Sequence, residues 1–117
     1  MMKKIEAIVP SSEMQTTFDA LEKMGINFSY WDIKGRGQTP RQEKQYDTGS
    51  GRMRVRDEFN TNAFIMTVVD DSMEQKVIDT IRKNNNSSNA QGKIFVSDLK
   101  DAIDISSGQL DDSVVQR

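Results

Sequence analysis

Twice along this chain a strand pattern leads into a helical stripe and back into a strand, and the polar stretch from Gly35 to Arg56 holds the two runs apart. No other feature limits the fold as much. In the first run Met1 to Val9 alternates, with Ile5, Ala7 and Val9 on one side and Lys4, Glu6 and Ile8 on the other, the period-two signature of a strand. Pro10 ends it. Ser12, with Gln15 three residues on, reads as a capping box. Met14, Phe18, Leu21 and Met24 then recur at helical spacing up to Gly25, a C-terminal stop. "INFSYWDI", rich in β-branched and aromatic residues, predicts a second strand over Ile26–Ile33.

In the second run "AFIMTVV" (Ala63 to Val69) is almost continuously apolar and predicts a strand covered on both faces. Ser72, with Gln75, opens a second helix whose buried stripe is Val77, Ile78 and Ile81. The polar tract Asn84–Gly92 breaks it. "KIFVS" is the fourth strand, "DAIDIS" is expected to add a short edge strand, and "GQLDDSVVQR" has no strong pattern. The order β-α-β twice over predicts a ferredoxin-like α+β fold, a single domain over residues 1–117. That superfold specifies no function. Two helices on one face of a four-stranded sheet leave the other bare, with Ile8, the apolar side of "AFIMTVV" and residues of "IFV" on it. Exposed apolar patches of that extent mark interfaces, so the chain is expected to oligomerise.

Charge is distributed unevenly. Lys34 to Arg56 holds seven basic and two acidic residues, a net of +5, so the rest of a chain of net charge -2 carries -7. A central stretch longer than about 12–15 residues without apolar periodicity is functional or disordered. It has few side chains to pack, so it is expected to be mobile until a partner orders it. Zero cysteines exclude disulfides, and zero histidines remove the commonest general base and metal ligand. With no apolar run near the roughly 18 residues of a membrane helix, the expectation is a cytoplasmic protein that is neither an enzyme nor a metal site.

Lys34-Gly35-Arg36-Gly37-Gln38 follows a strand, and its two glycines allow either a sharp turn or a close approach of backbone N–H groups to a ligand. Gly92-Lys93 poses the same pair of readings: a polar turn, or a turn that offers a lysine to an anion. Three segments in order, "KKIEAIV", "DIKGRGQ" and "GKIFVS", resemble the P-II signal transduction proteins over nearly the whole chain, and "AIDISSG" fits that family's C-terminal loop.

The resemblance implies a homotrimer of ferredoxin-like subunits with ATP or ADP in the clefts between them, and 2-oxoglutarate with magnesium as a further effector. It implies a T-loop at about residues 36–57, a phosphate-binding B-loop at about 84–93 and a C-terminal loop and tail at about 104–117. The nucleotide residues are then Ser29, Gly35, Arg36, Gly37, Gln38, Gly92 and Lys93. Arg41, Lys44, Tyr46, Arg52 and Arg54 belong to a partner-reading arm, with ammonium transporters or nitrogen-assimilation enzymes as partners.

Several positions depart from the family's pattern. Arg36 replaces its phenylalanine between the two glycines. Its glutamine is matched by Gln38 or Thr39, depending on where a gap is placed. The B-loop is reduced to "SSNAQGK", and "RIRTG" has become "DISSG", so Asp104 and Ser106 replace two phosphate-binding arginines. Charge-assisted hydrogen bonds contribute about 1.5–3 kcal/mol each. Weak nucleotide binding, with ATP gaining little over ADP, is therefore expected. Gly51 stands at the family's modified tyrosine, which argues against uridylylation. Two rival readings accompany this one: a P-II-like scaffold or sensor of another small ligand, and a nucleic-acid-binding module using the basic loop.

Overall fold

The computed structural model describes residues 1–37, 43–56, 58–86 and 92–110, leaving aside the side chains of Glu43, Lys44 and Tyr46. Four strands form one antiparallel sheet: β1 (Met2–Pro10), β2 (Ser29–Gly35), β5 (Asn60–Asp70) and β6 (Lys93–Leu99), in the order β2-β5-β1-β6. Helices α1 (Met14–Lys23) and α2 (Glu74–Lys83) supply the crossovers. The β-α-β repeat read from the sequence is thus the ferredoxin-like arrangement.

The turns and helices of the two halves repeat at a spacing of sixty residues. A single 3-10 turn precedes each helix, at Ser11–Glu13 and again at Asp71–Met73. This corrects both capping boxes: each helix begins two residues beyond its expected serine cap, with no side-chain cap bond from Glu13 or Met73. Gln15 and Gln75 instead reach one turn onward, to Asp19 at 3.0 Å and Asp79 at 2.8 Å. The second 3-10 turn is capped by Asp70, which accepts from the Ser72 N–H at 3.1 Å. Gly25 ends α1 with φ of 74°, a left-handed conformation that a side chain would disfavour.

The core lies between the sheet and the helices. Ile5, Ala7 and Val9 of β1, Ala63, Ile65 and Val69 of β5, and Leu21, Val77 and Ile81 of the helices are all buried. Register carries the alternation across the sheet: Ile5 pairs with Thr67, Ala7 with Ile65 and Val9 with Ala63. The expected two-sided burial of "AFIMTVV" is corrected, because Phe64, Met66 and Val68 on its other face are only partly covered within one chain. Strand β2 starts at Ser29, not Ile26. Ile26 is buried beneath the helix terminus and closes the α1 cap.

The polar stretch holds more structure than its sequence suggested. β3 (Glu43–Thr48) and β4 (Gly51–Arg56) pair as an antiparallel hairpin forming a second, two-stranded sheet. The molecule measures 64 × 29 × 26 Å. The expected "DAIDIS" edge strand is also corrected: among the described residues it contributes a single bridge, Ile103 to Leu110. The tail from residue 111 on lies outside the described residues.

Candidate functional site

The close approach of Gly92 to β1 fixes its identity. A Cβ there would stand 2.3 Å from the Ile8 carbonyl oxygen, far inside contact distance. Only glycine lets the chain enter β6 so near to β1. Lys93 follows on the open face, exposed and in register with Ile8. Beneath this entry lies a cavity of about 290 Å³ lined by Val9, Pro10, Ile81, Arg82, Asn85, Gly92, Lys93 and Ile94 among others. Asn85 fixes its floor by donating to Thr17 Oγ1 and the Ile81 carbonyl, both at 2.8 Å, which ties α2 to α1.

Gly35 and Gly37 are of a different kind. Neither has a positive φ, and Gly35 ends β2 in register with Asn60. A Cβ on Gly37 would meet nothing within 4 Å, and one on Gly35 would meet only Asn62 Nδ2 at 3.6 Å. The chain's own packing therefore requires a glycine at neither position, although the backbone bends at Gly37. Between them the Arg36 guanidinium lies 5.8 Å from the centre of the Phe59 ring, within cation–π range. Gln38 and Arg41 lie outside the described residues, as do the side chains of Lys44 and Tyr46.

The sheet order separates the remaining site residues. Ser29, Gly35 and Gly37 belong to the β2 edge, whereas Gly92 and Lys93 belong to the β6 edge, three strand spacings or about 14 Å away. The C-terminal loop follows the other end of β6, which runs from Lys93, opposite Ile8, to Leu99, opposite Met2. Asp104 thus leaves from the far end of the strand that Lys93 opens.

Asp104 folds its loop around itself. Its Oδ1 accepts from the Ser106 N–H at 3.0 Å, the Ser106 hydroxyl at 2.7 Å and the Ser107 N–H at 3.1 Å. Gly108, with φ of 70°, donates back to the Asp104 carbonyl at 2.8 Å. The Ser106 hydroxyl first, then the N–H groups of Ser107 and Ser106, hold the carboxyl below its ordinary 3.8. At neutral pH the two positions matched to family arginines therefore present one carboxylate, bonded to its own turn.

The open face carries a feature the sequence reading underrated. Register aligns Trp31, Phe64, Ile8 and Lys93 in one row, and Ser29, Met66, Glu6 and Phe95 in the next. The Trp31 and Phe64 rings stack with centroids 4.6 Å apart. Trp31 is 46% exposed and Phe95 51%. The period-two signal in "SYWDI" was available to place Trp31 on this side, but which side lay open depended on the sheet order.

Comparison with known proteins agrees with this architecture. The family profile described as Nitrogen regulatory protein P-II matches residues 2–109. A nitrogen regulatory protein P-II from Bradyrhizobium diazoefficiens is 32% identical over 110 residues, covering 92% of this chain and 95% of the relative. Nitrogen regulatory protein P-II 1 of Methanothermobacter thermautotrophicus is 31% identical over 119 residues, covering 92% of each. Among solved structures, the Arabidopsis thaliana PII protein bound to citrate superposes with a TM-score of 0.72 at 26% identity, over 96% of this chain and 90% of that one.

Proposed function

Because the chain belongs to the nitrogen regulatory protein P-II family, we propose that it works as a homotrimeric regulator, without catalytic activity of its own. It senses adenine nucleotide in clefts between copies and acts on nitrogen-metabolism partners through the β3–β4 hairpin, its T-loop. One observation carries this reading. The residues matched to the family's nucleotide site lie on opposite edges and opposite ends of one sheet, whose uncovered face carries the exposed aromatics Trp31 and Phe95. A second copy laid against that face covers Trp31, Phe64 and Phe95 and brings the β6 entry of one chain towards the C-terminal loop of another. Within one chain β6 leads from Lys93, opposite Ile8, to Leu99, opposite Met2, before that loop begins.

Lys93 supplies the phosphate contact, and Gly35 and Gly37 leave room for close backbone approach. A neighbour's Asp104 opposes phosphate charge, so ADP binds about as well as ATP. Arg36, engaged with Phe59, serves the foot of the hairpin and turns to phosphate only by leaving that ring. A small carboxylate such as 2-oxoglutarate, held with magnesium, is the second effector, and the citrate in the plant neighbour's structure supports a carboxylate-binding family. Calorimetric titration with ATP, ADP and AMP, each with and without 2-oxoglutarate and magnesium, tests the assignment. Adenine-nucleotide binding abolished by Lys93→Ala is the expected result. No binding of any of the three, alone or with effector, overturns the sensing function and leaves a scaffold.

A further inference from the structure

The hairpin is two-faced. In β4, Arg52, Arg54 and Arg56 point to one side and Met53 and Val55 to the other, because alternate residues of a strand face opposite ways. All five are exposed, Met53 at 50% and Val55 at 38%. Opposite the arginines, Asp47 meets Arg52 at 3.6 Å, whereas Gln45, in register with Arg54, brings no charge. Among the described residues the sheet ends at β4, its second strand, so every second N–H and C=O of Gly51–Val55 is directed away from β3. An open edge of this kind is a template for another strand.

The side chains on the edge select which strand. A second copy of β4 would set arginine beside arginine, and like charges across a strand pair are destabilising. On β3 the exposed Asp47 repels an acidic strand from that side. What fits β4 is a strand whose acidic residues fall beside Arg52 and Arg54 and whose apolar residues fall beside Met53 and Val55.

We propose that the outer edge of β4 takes up a partner's β-strand in which acidic and apolar residues alternate. This deepens the partner-reading role proposed for the hairpin and rests on it. The backbone ladder gives affinity, and the two side-chain rows fix register and sign of charge. The row of arginines also speeds encounter with an acidic partner, an effect that salt removes.

The test uses the full-length protein, labelled with ¹⁵N, and two synthetic acetylated octapeptides of equal composition. One alternates glutamate and valine; the other has four glutamates followed by four valines. The alternating peptide is expected to bind at least tenfold more tightly and to shift the amide signals of Gly51–Arg56 while leaving those of α1 and α2 in place. Arg52→Glu with Arg54→Glu, and separately Met53→Ala with Val55→Ala, should each weaken it at least tenfold, with far-UV circular dichroism unchanged. Arg52→Gln with Arg54→Gln, which removes charge without reversing it, should fall between. Equal binding of the two peptides, absence of binding at millimolar peptide, or tighter binding of a single-stranded oligonucleotide overturns the proposal. Mass and ADP titration on the same sample keep the two readings apart. A nucleotide-binding trimer that ignores the alternating peptide sinks this inference alone.

Discussion

Gly92 and Gly37 make opposite demands on their surroundings, and substitution separates them. A methyl at Gly92 must displace β1 or the entry to β6, since the Ile8 oxygen lies 2.3 Å from its place. Gly92→Ala is expected to cost about 1–3 kcal/mol, the range for overpacking, read by urea denaturation. Gly37→Ala meets nothing and should leave stability within about 0.5 kcal/mol. A loss of nucleotide affinity in that variant, with stability unchanged, identifies close ligand approach as the reason for the glycine; unchanged affinity removes Gly37 from the site. The sequence pairing of these glycines gave no hint of the difference, because closeness to β1 depends on the register of β6. Asp104 makes a second case. Its folded carboxyl lies below 3.8, so its turn is fully stabilised above that value and loses the contribution as pH falls through the depressed one. From pH 5 to 8 its charge is constant. Asp104→Asn keeps an oxygen for Ser106 and Ser107 while removing the charge. It should tighten ATP binding by about 1 kcal/mol, roughly fivefold, more for ATP than for AMP. An unchanged affinity for all three nucleotides would place Asp104 away from the phosphates.

At the scale of elements, what was legible followed from patterns that a single element completes by itself. The strand β1 and the stripes of both helices stand where periodicity put them, except that Ile78 is only half-buried beside the buried Val77 and Ile81. The helix starts were not legible in detail: Ser12 and Ser72 have the right spacing to Gln15 and Gln75, but a 3-10 turn consumes the cap, and each glutamine bonds forward to an aspartate. The hairpin was missed for a different reason. Its alternation, Arg-Met-Arg-Val-Arg, is a genuine period of two, yet with arginine as the majority partner it reads as charge rather than strand. An isolated two-stranded hairpin is marginally stable in water. Hydrogen exchange should therefore show the amides of 43–56 exchanging orders of magnitude faster than those of β1 and β5 in the partner-free protein. Protection of the hairpin equal to that of β5 would mean that it is held by contacts beyond its own ladder.

Over the whole molecule, the order of elements was enough to place the core on one face of the sheet and leave the other open. What could not be read was which side chains share the open face, because "AFIMTVV" is apolar on both sides and only the register assigns Phe64 and Met66 to Trp31 and Phe95. Trp31 is the only tryptophan, so its fluorescence reports burial of that face. Its emission should move to shorter wavelength as copies assemble and to longer wavelength in Phe64→Glu, which places a charge in the middle of the contact. An emission independent of concentration and of that substitution would mean the face stays in water. The separation of Lys93 from Asp104 along β6, and of Lys93 from Gly35 across the sheet, leads to one claim, that the nucleotide site exists only between copies. Native mass spectrometry of the full chain with ADP tests it most directly. The account predicts an assembly of three chains, each 13.3 kDa, carrying up to three nucleotides, with none on any monomer present. A nucleotide bound to the 13.3 kDa monomer, or a monomer as the sole species at micromolar concentration, would contradict it.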